Sequence, residues 1–178
     1  FVIYLAAYAV LLWRYSGAED LVIGIPEAGR RSRHYHSNIG CFLNVLCIRI
    51  QMSAKLDSLR DVIATVHRAF VSAYSNSEVP FHEVAKGHRN YNENPIFQVM
   101  MSMMDDFDGD ITQADETSAY GPLAWDEDTR VVPKSAKLDL DMMFQKMPDG
   151  AVSLILEYRD DLYESSTIER FLNHFTNT

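Results

Sequence analysis

The run Ser-Asn-Ile-Gly-Cys-Phe-Leu-Asn-Val-Leu-Cys-Ile-Arg-Ile, residues 37–50, leaves few ways for this chain to fold. From Ile39 to Ile48 only Gly40 and Asn44 interrupt the apolar side chains. A near-continuous apolar run with β-branched and aromatic members, bounded by polar residues, reads as a strand buried on both faces. Gly40 within it signals a bulge or a second backbone passing close by. Asn44 is the anomaly. An amide buried without partners costs roughly 1–3 kcal/mol, so its carboxamide must be bonded. Either it ties neighbouring backbone together, or it faces a cavity that holds a polar ligand.

The rest of the chain supplies elements that can cover such a strand. Phe1 to Tyr15 is apolar almost all round and reads as a central helix, ended by Ser16-Gly17. Leu21–Ile25 reads as a short buried strand stopped by Pro26, and Glu27–Ser37 as a loop rich in Arg, His and Gly. From Lys55 to Ser75, Leu56, Leu59, Ile63, Val66, Phe70 and Ala73 recur at steps of three and four, one apolar stripe on a helix. His82–Lys86 reads as a short helix ended by Gly87, Arg89–Pro95 as a polar loop, and Ile96–Met104 as a second buried strand. Leu138, Leu140, Met142 and Phe144 alternate, as do Val152, Leu154, Leu156 and Tyr158. Pro148-Asp149-Gly150 between them predicts an antiparallel hairpin. Ser166-Thr-Ile-Glu169 is a capping box for a last helix whose apolar face is Ile168, Phe171, Leu172 and Phe175. Helices mixed with a partly antiparallel sheet predict an α/β (α+β) layered sandwich, a mixed β-sheet covered by helices.

Charge and cysteine narrow the function. The net charge is −9, and residues 105–128 hold nine Asp or Glu and no Lys or Arg. With no basic face, nucleic acid and anionic membrane are not expected partners. The long segment Asp105–Lys137 reads as a surface loop. Cys41 and Cys47, placed on one strand, would lie roughly 20 Å apart and cannot bridge. Free, buried thiols fit a reducing compartment and a cytoplasmic protein. The opening on Phe1 inside an apolar run predicts a piece of a longer polypeptide. That run is too short to span a bilayer and lacks the basic flank of a signal peptide.

Several catalytic patterns fail on inspection. Gly24-Ile-Pro-Glu-Ala-Gly29-Arg30-Arg31 mimics a phosphate loop, but arginines stand where Lys and a hydroxyl residue are needed. Asp106-Phe-Asp108-Gly109-Asp110 places Gly at position four and Thr117 at position twelve, not the Gly-six, Glu-twelve pattern of a calcium loop. His34, His36, His82, Glu83 and His88 do not match a zinc spacing, and no nucleophile elbow is present.

Three stretches carry a family likeness. Ile39-Gly40-Cys41-Phe42-Leu43-Asn44-Val45 through Arg49 resembles the Ile-Gly-x-Phe-Val-Asn-Thr…Arg motif of nonribosomal peptide synthetase condensation domains. Asn76-Ser77-Glu78-Val79-Pro80-Phe81 and Arg89-Asn90-Tyr91-Asn92-Glu93-Asn94-Pro95-Ile96 resemble the two motifs that follow in that family, in the same order. The likeness extends to Arg14–Asp20, Ile23–Arg30, Lys137–Leu140 and Leu156–Tyr158. Val45, Ser77, Glu78, His82 and Glu93 depart from the usual residues. The family's His-His-x-x-x-Asp-Gly motif, which carries its catalytic histidine, does not occur in these residues.

The resemblance implies that residues 1–178 are the C-terminal subdomain, half of a chloramphenicol-acetyltransferase-like fold, inactive without the N-terminal half. It implies a channel between halves, entered by donor and acceptor carrier proteins bearing phosphopantetheine thioesters, with no cofactor or metal bound by this chain. Gly40, Phe42, Asn44, Pro80, Phe81, Arg89, Asn94 and Pro95 are the channel and motif residues. Asn44 is either an assisting donor to the developing oxyanion or a brace, and Arg89, Asn94 and Pro95 are structural. Alternatives that share the fold are epimerisation, heterocyclisation and ester-forming relatives. A module that only docks carrier proteins or scaffolds an assembly is the rival from another class. An isolated half is also expected to expose an apolar face larger than a few hundred Å².

Overall fold

The computed structural model describes residues 1–30, 32–35, 37–53, 58–87, 96–104, 135–147 and 150–177. The elements in order are α1 (Val2–Ser16), β1 (Asp20–Glu27), β2 (Asn44–Gln51), α2 (Leu59–Ser75), α3 (Phe81–Ala85), β3 (Val99–Met104), β4 (Leu140–Lys146), β5 (Val152–Tyr158) and α4 (Ser165–Thr176). Among the described residues a 3-10 turn, Arg33–Tyr35, lies between β1 and β2. The five strands form one mixed sheet in the order β2-β1-β3-β4-β5. The outer pairs β1–β2 and β4–β5 are antiparallel, and β3 runs parallel to both of its neighbours.

Strand alternation splits the side chains between two faces. Ile23, Ile25, Leu46, Ile48, Ile50, Met101, Leu140, Met142 and Phe144 are buried on one face. Against it pack α1, α2 and α4, with Phe144 meeting Tyr4 and Phe175 at ring-centroid distances of 4.9 and 5.6 Å. Because α1 is enclosed by sheet and helices, Leu5, Ala6, Tyr8, Ala9, Val10, Leu11 and Leu12 are all buried. Gly17, left-handed at φ +69, closes α1 through its N–H to the Trp13 carbonyl. On the sheet's second face Phe97, itself buried, lies over Gly24, where a Cβ would come within 2.5 Å of the ring.

The layered α+β sandwich and the order of elements agree with the sequence reading, and several details do not. The strand expected over Ile39–Ile48 starts only at Asn44. It is an edge strand with one buried face: Ile39 is fully exposed and Leu43 is 60% exposed. Asn44 therefore heads the strand instead of sitting in its middle. Cys41 is exposed, not buried, whereas Cys47 is half-buried. β1 continues through Pro26 to Glu27, since Pro26 lies beyond the β1–β3 pairs, where β1 has a strand neighbour on one side only. α2 begins at Leu59 with Ser58 as its cap. Its buried residues are Val62 and Val66, and Leu59 is 55% exposed. The short helix is Phe81–Ala85. α4 starts at Ser165 after Glu164, without a side-chain cap bond, so the Ser166–Glu169 capping box is not its N-terminus. The β4–β5 hairpin forms as expected, with Gly150 at φ +84. Arg89, Asn94, Pro95, the calcium-like stretch 106–117 and the acidic segment 105–128 lie outside the described residues.

Candidate functional site

Where β1 ends and β2 begins, the two described motif stretches meet through one side chain. Asn44 Nδ2 donates to the carbonyl of Ser77 at 3.0 Å and to that of Val79 at 2.9 Å. Its Oδ1 accepts the Phe81 backbone N–H at 2.9 Å. Both amide hydrogens and one acceptor site are thus committed to the segment joining α2 to α3. That segment needs such help. α2 stops at Asn76, and the turn 76–79 leaves carbonyls with no helical partner. Ser77, buried to 5% exposure, satisfies its own hydroxyl on the Tyr74 carbonyl at 2.6 Å. Pro80, extended at φ −64 and ψ 141, then starts α3.

The clamp continues inward. Phe81, whose N–H Asn44 holds, meets Phe97 at 5.5 Å between ring centroids. Phe97 rests on Gly24 of β1, so the start of β2, the α2–α3 turn and the second face of the sheet form one packed unit. A residue with a Cβ at position 24 would lift Phe97. The sequence signal for this was present, since Gly24 interrupts an otherwise apolar strand, but the partner ring lies 73 residues away and leaves no local trace.

The β1–β2 loop is organised by a second side chain, Arg30, whose part here the sequence reading did not foresee. The Arg30 guanidinium donates to the carbonyls of Tyr35, Asn38 and Gly40. It also lies over the Phe42 ring, 4.6 Å from the centroid. Gly29 adopts φ +68, and a Cβ there would collide with the Phe42 carbonyl. Gly40 and Phe42 thus sit on the loop before β2. Ile39, Leu43, Val79 and Val84 are exposed apolar side chains at this end of the sheet.

The described residues at this end hold no nucleophile–base couple and no group of three or more His, Cys, Asp or Glu suited to a metal. His34 is exposed, and His82 pairs with Glu83 at 3.2 Å. Burial pushes the Cys47 thiol up to about 11, which keeps it protonated and unreactive near neutral pH. At the far end of β1 a cleft of about 530 Å³ is lined in part by Leu12, Asp20, Asp139, Tyr163 and Phe171. Asp20 is bound by Arg49, whose hydrogen bonds hold its carboxyl below the usual range, and Asp139 faces Arg159 at 3.4 Å. Burial first, and Asp139 second, raise the Tyr163 phenol. With both carboxylates already paired to arginines, this cleft offers no ready general base. No helix among the described residues is long and apolar enough to cross a membrane.

A five-stranded mixed sheet with helices packed on one face and motif residues gathered at one end is the architecture these features define. The chain belongs to the condensation-domain family: the family model matches residues 2–178. It is 31% identical to one of the linear gramicidin synthase polypeptides of Brevibacillus parabrevis over 99% of this chain and 3% of that protein. It is 28% identical to cyclosporin synthetase simA of Tolypocladium inflatum over 98% of this chain and 1% of that protein. The chain thus spans a few per cent of the length of these synthetases. Among solved structures, a four-domain nonribosomal peptide synthetase bound to AMP and glycine superposes with a TM-score of 0.80 at 20% identity, covering 99% of this chain and 14% of that one. The X-domain from teicoplanin biosynthesis gives 0.75 at 22% identity, covering 98% and 40%. The fold is the chloramphenicol-acetyltransferase-like fold of condensation domains, whose members are peptide-bond-forming acyltransferases.

Proposed function

We propose that this chain is the C-terminal subdomain of a condensation domain and forms one wall of its reaction channel. A donor acyl or peptidyl thioester and an acceptor aminoacyl thioester are presented there by two carrier proteins through phosphopantetheine arms. The acceptor amine attacks the donor carbonyl, the amide forms, and the donor thiolate leaves. The histidine that handles the proton comes from the N-terminal half, because no His-His-x-x-x-Asp-Gly motif stands in residues 1–178. This chain binds no metal or cofactor of its own, contacts neither nucleic acid nor membrane, and works in the cytoplasm. The observation that carries this reading is the Asn44 junction, which joins two motif stretches at one end of the sheet beside exposed Ile39 and Leu43. That is a surface fit to be covered by another lobe.

Within this reading Asn44 is a brace and not an oxyanion donor. Both of its N–H groups are spent on the Ser77 and Val79 carbonyls, so donating to a reacting oxygen would first require breaking one of those bonds. Gly40, Phe42, Pro80 and Phe81 shape the same wall.

The intact domain, this chain joined to the half that precedes it, is to be incubated with both loaded carriers. The acceptor carrier is then weighed by mass spectrometry. A mass gain equal to the donor acyl group supports the reading, and donor hydrolysis alone refutes it. A second reading has one observation in its favour: the X-domain of teicoplanin biosynthesis, solved in a complex with OxyB, superposes on this chain with a TM-score of 0.72. A docking role predicts that the intact domain binds a partner protein and forms no amide.

A further inference from the structure

We propose that Arg30 is a positioning residue, the template on which the loop carrying Gly40 and Phe42 takes its working shape. The loop between β1 and β2 spans residues 28–43 and contains one 3-10 turn as its regular structure among the described residues. Its internal backbone bonds are sparse: Tyr35 N–H to the Ser32 carbonyl at 2.9 Å and Asn38 N–H to the Tyr35 carbonyl at 3.3 Å. Among the described residues these bonds close the turn and do not reach residues 39–43.

The guanidinium fixes them. Its two terminal nitrogens reach three carbonyls spread over six residues, Tyr35, Asn38 and Gly40. Its flat face covers the Phe42 ring, which in turn meets Tyr35 at 5.6 Å. A planar fork with several donors in fixed directions can gather carbonyls in this way, whereas an ammonium is a point charge that neither spans them nor stacks. The base of the fork is held as well. Gly29 lies against the Phe42 carbonyl in the left-handed region, and its N–H donates to Glu27 Oε2 at 3.0 Å. Arg30 therefore leaves β1 in one direction and meets the loop's return in one place.

Tyr35, Asn38 and Gly40 are exposed, so water can satisfy those carbonyls once Arg30 is gone. Losing Arg30 therefore costs the loop its single conformation more than it costs the fold its stability. Because the loop runs directly into Asn44, the wall at Gly40–Phe42 moves while the core stays intact. This rests on the channel-wall reading above, and the test separates the two.

The intact domain is compared as wild type, Arg30→Lys and Arg30→Met by trypsin cleavage after Arg33, mapped by mass, and by amide-forming kinetics per folded molecule. Both variants are expected to be cut after Arg33 at least tenfold faster. Their kcat should fall at least tenfold, with the KM for each carrier within threefold of wild type. Arg30→Lys should fail to rescue either property. Unchanged cleavage overturns the proposal, as does unchanged kcat per folded molecule in Arg30→Met, or wild-type behaviour in Arg30→Lys. If the wild-type domain makes no amide, the channel-wall reading falls, and the cleavage rates alone decide whether Arg30 shapes the loop.

Discussion

Replacing Asn44 by Ala removes three hydrogen bonds at once: two donated to the Ser77 and Val79 carbonyls and one accepted from the Phe81 N–H. At about 1 kcal/mol net per bond the loss is about 3 kcal/mol, and water reaching the more exposed Val79 end lowers it to about 2 kcal/mol. For a domain of this size that corresponds to a fall in Tm of roughly 4–8 °C. Asn44→Asp is the sharper probe. Its carboxylate still accepts from Phe81 but sets a negative oxygen against two carbonyls that Asn44 approaches at 2.9 and 3.0 Å. At pH 7 it should be at least as destabilised as Asn44→Ala. Those carbonyls would raise the folded-state pKa of the new carboxyl above its unfolded value. The penalty is then complete above the folded pKa and fades as pH falls from there toward the unfolded pKa, as a neutral acid that can donate one bond forms. Urea melts of the three proteins at pH 7 and pH 4.5 read both effects. The bracing geometry is refuted if Asn44→Ala costs less than about 0.5 kcal/mol, below the low end for even one such bond. Asn44→Asp matching wild type at pH 7 would refute it equally.

Other consequences follow from the packing. Gly24→Ala places a Cβ 2.5 Å from the Phe97 ring, and such overpacking should destabilise by about 1–3 kcal/mol in thermal melts. Leu or Ala at position 97 in the Gly24→Ala background should recover part of the loss. The Tyr8 hydroxyl is buried without a hydrogen-bond partner among the described residues, and burial pushes its ionisation far up. Tyr8→Phe should therefore leave stability unchanged or raise it by about 1 kcal/mol. Burial first, and Glu157 directly across the β4–β5 ladder second, raise the Asp141 carboxyl. A carboxyl raised in the folded state opposes folding in full above its folded pKa, and the opposition fades as pH falls below that value and is gone below the unfolded pKa. Asp141→Asn should raise Tm at pH 7 and lose that advantage toward pH 4.

Elements whose burial is decided within the element itself were legible in the sequence. α1 is apolar almost all round, and the β4–β5 hairpin carries its own alternation and turn. The start of β2 was not legible. Ile39 and Leu43 are as apolar as Leu46 and Ile48, yet they lie on the surface. Composition registers an apolar side chain, not which surface takes it from water. The capping box at Ser166 failed for a related reason. Ser165 starts α4 two residues before the start that the capping box implies, with its hydroxyl 3.1 Å from the Tyr158 hydroxyl, a contact fixed by β5 and invisible locally. At the site, the buried-amide argument correctly demanded partners for Asn44 and left open which ones. Those partners are backbone atoms 33–37 residues away, and the loop-holding role of Arg30 was not legible because its partners are carbonyls, which every sequence contains.

The most direct test of the channel-wall claim is split complementation. Residues 1–178 and the half of the domain that precedes them are produced as separate polypeptides and mixed with both loaded carriers, and acceptor-bound amide is counted by mass spectrometry. The account predicts product from the mixture and none from either polypeptide alone. Amide formed by residues 1–178 without the other half would contradict it.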